Sequence, residues 1–327
     1  MHQLRAVIAA MACASAVTFG AFDAGASNSC STQPTLLASF VSGQDIPESI
    51  TTDEQGNLYV SVGNTIQVQS PGGSFGVFGT LPLPIAALGV KVGPDGCVYN
   101  ASTSLSAVPG AFVWRLCGAG SAEAFAELDQ AGAPNDLAFD DDGSLFVTDP
   151  LLGQIWKVDE DGNAEVFLQH PLLAGNPADP ALIFRQIGVN GIAFDPQHRF
   201  LYVSNTDAGS VLRIDMSRAN PEPSVFAQDA RLRGADGIAF DKAGNLLVAV
   251  NAQDTLVSLN KRGRITTIAS GGLLDAPSSV VFGATRQSKH TLYLTSSAFS
   301  RTLGLQPGTP QPAVLTLRAD TPGLPLP

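Results

Sequence analysis

Apolar and polar residues alternate with period two through most of the chain, as in LYVSV around Val60, and no comparable stretch shows helical spacing. One phrase recurs: a polar lead residue, a small residue, alternating apolars, an Asp–Gly-type turn, then a second and a third strand. Its copies are PESITTDEQGNLYVSV, ALGVKVGPDGCVYNAS, PNDLAFDDDGSLFVTD, VNGIAFDPQHRFLYVSN, ADGIAFDKAGNLLVAV and PSSVVFGATRQSKHTLYLTS. The lead positions are 48, 88, 135, 190, 236 and 278, spaced by 40, 47, 55, 46 and 42 residues. Third strands follow as TIQVQS, FVWRLC, QIWKVDE, SVLRIDM, TLVSLNK and AVLTLRA; FGVFG, AEAFAEL, AEVFLQH, PSVFAQ and ITTIAS are fourth strands.

Four short strands per unit at this period predict an all-β chain folded as a six-bladed β-propeller. The sixth copy lacks a fourth strand, and TLLASFV ahead of the first copy supplies one. An N-terminal strand joining the last blade would close the ring and remove two exposed sheet edges. The propeller is expected over 34–320, with a short C-terminal tail at 321–327. A long loop between Gln169 and Gly188, just before the fourth lead residue, is expected to form a lid or pocket wall.

The first residues change the picture of where the chain works. A positive charge at Arg5, the apolar run AVIAAMACASAVTFGAF and Ala24-x-Ala26 predict a secretory signal peptide over 1–26, then a flexible leader over 27–33. The run falls short of the roughly 20 strongly apolar residues of a membrane span. The protein is therefore expected to be secreted or periplasmic, with no membrane partner after cleavage. In an oxidising compartment, Cys97 at the start of one strand and Cys117 at the end of the next lie opposite each other, and a Cys97–Cys117 disulfide is predicted.

Charge narrows the partners. Lys and Arg number 18 against 29 Asp and Glu, a net charge of −11, which argues against a nucleic-acid partner. No HExxH, Walker A loop or GxGxxG after a strand is present.

In a propeller the first strand of each blade lines the central channel, so the lead residues Glu48, Leu88, Asn135, Asn190, Asp236 and Ser278 should form a ring. A lone Asn or Asp at a strand start often bonds backbone groups in an Asx-turn, the reading that suits Asp140, Asp195 and Asp241. Two carboxylates and two carboxamides converging in one layer suit a hard cation instead, because Glu48 and Asp236 would otherwise repel in a narrow channel. Ca²⁺, or another divalent cation, takes about 6–8 oxygens and would leave positions for water or substrate. Zinc or copper would want His or Cys, and the four His occupy no such ring. Ser278 of the ring and, beside it, Asp136, Asp149 and Asn205 are candidates for substrate contacts.

The phrases VNGIAFD, ADGIAFD and PNDLAFDDDG, with the closing VVFGATRQSKHTLYLTSS, resemble the senescence-marker/gluconolactonase/regucalcin family of six-bladed propellers over nearly the whole mature chain. The resemblance implies that Glu48, Asn135, Asn190 and Asp236 hold a divalent cation, usually Ca²⁺, and that Asp236 acts as base or nucleophile. It also marks a departure: where sugar-lactone members carry an Arg two residues before the third-blade Asn, this chain has Ala133. The expected function is a Ca²⁺-dependent hydrolase of lactones or related esters acting on a small molecule. The alternative is a non-catalytic binding module built round a structural ion.

Overall fold

The computed structural model describes residues 33–324 apart from 105, 107 and 182–185. The signal peptide expected over 1–26 and nearly all of the leader therefore lie outside the described residues. Six antiparallel sheets follow one another along the chain as the blades of a propeller. In the first blade the strands run in order Pro47–Thr52, Leu58–Val62, Thr65–Gln69 and Gly76–Thr80, from channel to rim. A two-residue strand, Gly120–Ser121, adds to its outer edge in parallel. The sixth blade takes Pro277–Phe282, Thr291–Ser296 and Ala313–Arg318 from the end of the chain and Thr35–Ser39 from its beginning. Thr35 pairs with Thr316 in that closure, and their hydroxyls lie 2.7 Å apart.

The period-two pattern explains the core. Each blade turns one face toward each neighbour, and a separate apolar cluster fills each of the six seams. An aromatic residue near the start of the second strand organises several of them. Tyr99 meets Phe125 of its own blade and Phe139 of the next edge-on, with centroids 5.3 and 5.1 Å apart. Phe146 repeats this with Phe167 and Phe194, and Tyr202 with Phe226 and Phe240. Edge-to-face pairs add about 0.5–1.5 kcal/mol each beyond the area they bury. Trp114 and Trp156 occupy matching third-strand positions and are buried.

Cys97 and Cys117 form a disulfide with Cα atoms 4.2 Å apart, tying the start of Val98–Ser104 to the end of Phe112–Leu116. Asp140, Asp195 and Asp241 accept hydrogen bonds from backbone amides in the turns that follow the inner strands. The C-terminal segment is not a loose tail over its described part: Gly323 bridges to Asp241, and the Lys242 amide donates to the Pro322 carbonyl at 2.9 Å.

Candidate functional site at the channel mouth

The inner strands carry five of the lead residues, which a backbone irregularity aims, and Asn135 stands two residues ahead of the strand Leu137–Phe139. In five blades the ladder between first and second strands skips at this point, leaving an extra residue on the inner strand. Asn190 and Gly191 share the place opposite Ser204, and Asp236 and Gly237 the place opposite Ala249. Such bulges rotate a side chain out of the sheet's alternation, which turns these residues toward the axis.

The residue after the lead position is set by the next blade. A Cβ on Gly191 would lie 2.3 Å from the Asp236 carbonyl oxygen, and one on Gly89 would lie 2.1 Å from that of Asn135. Only glycine fits where one lead residue's backbone rests on its neighbour. Hydroxyls from the second strands stitch four seams in the same layer. Thr148 Oγ1 donates to the Asn190 carbonyl at 2.5 Å and Ser204 Oγ to the Asp236 carbonyl at 2.8 Å. Ser61 Oγ reaches the Leu88 carbonyl at 2.5 Å, and Thr295 Oγ1 the Glu48 carbonyl at 3.0 Å. The backbone under the ring is thus fixed from both sides, a precondition for holding side chains in register.

The side chains of the ring divide into tethered and free. Asn190 is 3% exposed; its Nδ2 donates to Thr206 Oγ1 at 3.0 Å, while its Oδ1 is buried with no hydrogen-bond partner. Asp236, 5% exposed, accepts from Asn251 Nδ2 at 2.7 Å through Oδ2. Among the described residues no hydrogen bond reaches the carboxylate of Glu48 or the carboxamide of Asn135. Burial, and then the neighbouring Asp136, push the Glu48 carboxyl up to about 7. Burial, and then Glu48, hold Asp236 well above the ordinary carboxylate range. Asp136 thus opposes the ionisation of Glu48 and Asp236, Glu48 opposes that of Asp236, and an orphaned amide oxygen points to the same deficit of positive charge. The donor set is all oxygen, which suits a hard divalent cation and fits no soft metal.

The candidate substrate contacts fare differently. Asp149 is wholly buried: Oδ1 accepts from the amides of Ala133, Leu151 and Leu152, and Oδ2 from Trp156 Nε1 at 3.4 Å. Asn205 is likewise buried, donating to the Leu172 and Ala174 carbonyls and accepting from the Ala208 amide. Ser278, 2% exposed, gives its hydroxyl to the Glu48 carbonyl at 2.6 Å. The structure places these three in the framework: backbone groups take their polar atoms, and the Trp156 indole takes Asp149 Oδ2. Asp136 bonds the amides of Leu137 and, across the seam, Ile192 at 3.1 Å, so its part in the ring is electrostatic.

Sequence reasoning missed Thr206 and Asn251, which follow the second strands of blades four and five and hold Asn190 and Asp236. Their matching place, two residues after Ser204 and Ala249 at equivalent second-strand positions, was the available signal. It also missed Asp207, whose carboxylate accepts from the amides of Asn176, Ala181 and Ile187 and pins the long loop on the ring's side of the propeller. That loop opens with the short helix Pro171–Leu173, and Arg233 grips its Asp179 with a contact of 2.6 Å.

The chain is similar to a gluconolactonase of Zymomonas mobilis, 28% identical over 233 residues, covering 64% of this chain and 60% of that protein. Its fold is similar to that of a calcium-binding protein, regucalcin, from Agrobacterium tumefaciens, with a TM-score of 0.63 at 17% identity over 90% of this chain and 98% of that one. It is also similar to a gluconolactonase from Xanthomonas campestris, with a TM-score of 0.56 at 18% identity over 85% and 87% of the two chains. Residues 93–298 match the model of the SMP-30/gluconolactonase/LRE-like region, more than half of the sequence. With six blades, a closing N-terminal strand and this match, the chain belongs to the SMP-30/gluconolactonase/LRE-like family.

Proposed function

We propose that the protein is an exported, divalent-cation-dependent hydrolase of lactones or related esters. The observation that carries this reading is the buried, unpartnered Oδ1 of Asn190 in one layer with the carboxyls of Glu48 and Asp236. Glu48, Asn135, Asn190 and Asp236 would hold the cation, with Ca²⁺ the best match to four oxygen donors. A cation held there supplies Lewis acidity toward a carbonyl oxygen.

The chain's own residues supply the proton chemistry. Asp236, steadied by Asn251 through Oδ2 and by the Gly237 amide, would take a proton from water as its oxygen bonds to the carbonyl carbon. The ring C–O bond then breaks, and that proton passes to the departing alkoxide, giving the hydroxy acid. The fixed backbone beneath Asn190 and Asp236 keeps the base in place through this cycle. The similarity to gluconolactonases supports the reaction class.

A second reading, a binding module round a structural ion, is favoured by Ala133. That residue places only a buried methyl where a lactone-gripping Arg would stand. A panel of sugar lactones, alkyl lactones and aryl esters, assayed with Ca²⁺ and with chelator, separates the two. Chelator-sensitive turnover that vanishes in Asp236→Asn supports the hydrolase; calcium uptake without turnover on any member supports the module.

A further inference from the structure

Three residues beyond the ring, the inner strands present Thr51, Lys91, Ala138, Ala193, Ala239 and Val281 at equivalent positions. Three alanines widen the channel there, and one position of six carries a charge. The next position along supplies Phe139, Phe194, Phe240 and Phe282. These residues line a cavity of about 370 Å³ at the far end of the channel, joined by Leu324 from the C-terminal segment. The volume lies at the small end of the roughly 300–1,000 Å³ typical of ligand pockets, so it admits a small molecule and not a folded partner.

Its charges are unevenly placed. Asp141 and His198 at the rim pair with each other at 2.9 Å, and the His198 ring stacks on Phe194 at 5.2 Å. Lys91 makes no ion pair or hydrogen bond among the described residues, and on its ring side it faces Asp136 only through space. A half-buried ammonium at the head of an aromatic cup is complementary to one kind of molecule: an apolar body ending in an anion.

We infer that this distal cavity binds a small amphipathic carboxylate, its carboxylate on Lys91 and its apolar part against Phe194, Phe240, Phe282 and Leu324. The site lies at the opposite end of the channel from the cation ring and does not depend on the hydrolase reading. Trp114 and Trp156 do not line it, so the direct test is calorimetry on the processed protein. The probes are 4-phenylbutyrate and its uncharged counterpart 4-phenylbutanol. One equivalent of phenylbutyrate should bind at least tenfold more tightly than the alcohol. Lys91→Met should weaken the acid roughly tenfold to a hundredfold and leave the alcohol unchanged, the scale of one charge-assisted hydrogen bond. Ala239→Phe, which fills the cup, should block both.

Equal affinity for acid and alcohol overturns the inference, as does no binding at millimolar concentration. So does a Lys91→Met protein with unchanged phenylbutyrate affinity, and a change in its calcium uptake alone would assign Lys91 to balancing Asp136. Should Lys91→Met fail to fold, the acid–alcohol comparison and Ala239→Phe decide the matter.

Discussion

In chelator, the protein should lose stability as pH rises from 5 to 8. The perturbation is ionisation of Glu48, whose carboxyl releases its proton near 4.5 in the unfolded chain and at about 7 in the folded one. Between those values the folded state holds a proton that the unfolded state has lost, so stability falls with rising pH. Glu48 alone corresponds to roughly 3 kcal/mol once pH exceeds 7. Asp236 is raised in the same direction, by burial and then by Glu48, and adds to the same slope. Carboxylates held low, such as Asp229 beside Arg231, lose their contribution only as pH falls below the ordinary carboxylate range, outside this window. At about 2 °C per kcal/mol for a chain of this size, the melting temperature should drop by about 6 °C. Calorimetric melts at pH 5 and pH 8 in EDTA measure it. Glu48→Gln should flatten the slope, and Ca²⁺ at a hundred times its Kd should add about 2.7 kcal/mol at pH 8 and less at pH 5. A melting temperature that climbs between pH 5 and 8 in chelator refutes the reasoning. A full slope retained in Glu48→Gln does so equally.

Other expectations follow from the same geometry. Asp236→Asn should lower turnover of any lactone substrate by about 10²–10⁴ while leaving a folded protein, read as kcat against a thermal melt. Gly191→Ala forces a Cβ onto the Asp236 carbonyl and should both lower the melting temperature and weaken calcium uptake in calorimetry. Ser204→Ala removes one seam bond and should cost about 1 kcal/mol by urea denaturation. Cys97→Ser with Cys117→Ser opens a loop of sequence separation 20 and should cost about 3 kcal/mol, with little effect on the ring.

The blade count was legible because each blade repeats the same alternation at nearly the same spacing, and the sheets observed match it. The nearness of Glu48 and Asp236 was legible because both stand at inner-strand starts of the repeat. What lay beyond reach was side-chain direction at the ends of the second strands. Asp149 and Asn205 stand at the end of second strands on the ring's side, and alternation alone could aim them at the channel. In fact Trp156 and three amides claim Asp149, and the start of the long loop claims Asn205. Trp114 makes the parallel bond to Ser102, at 2.8 Å, so the paired tryptophans held the clue to Asp149. Hydroxyl-to-carbonyl seams were equally hidden, since Ser and Thr in strands carry no sign of which neighbour they serve.

The pairing of Thr35 with Thr316 joins residues 281 apart in sequence. A chain that emerges amino end first must leave the ribbon Thr35–Ser39 without a mate until Ala313–Arg318 has been made. Five sheets can be assembled while the polypeptide is still growing; the sixth is a latch thrown last. Deleting the ribbon would leave every local element intact and yet let the circle spring open at one spoke.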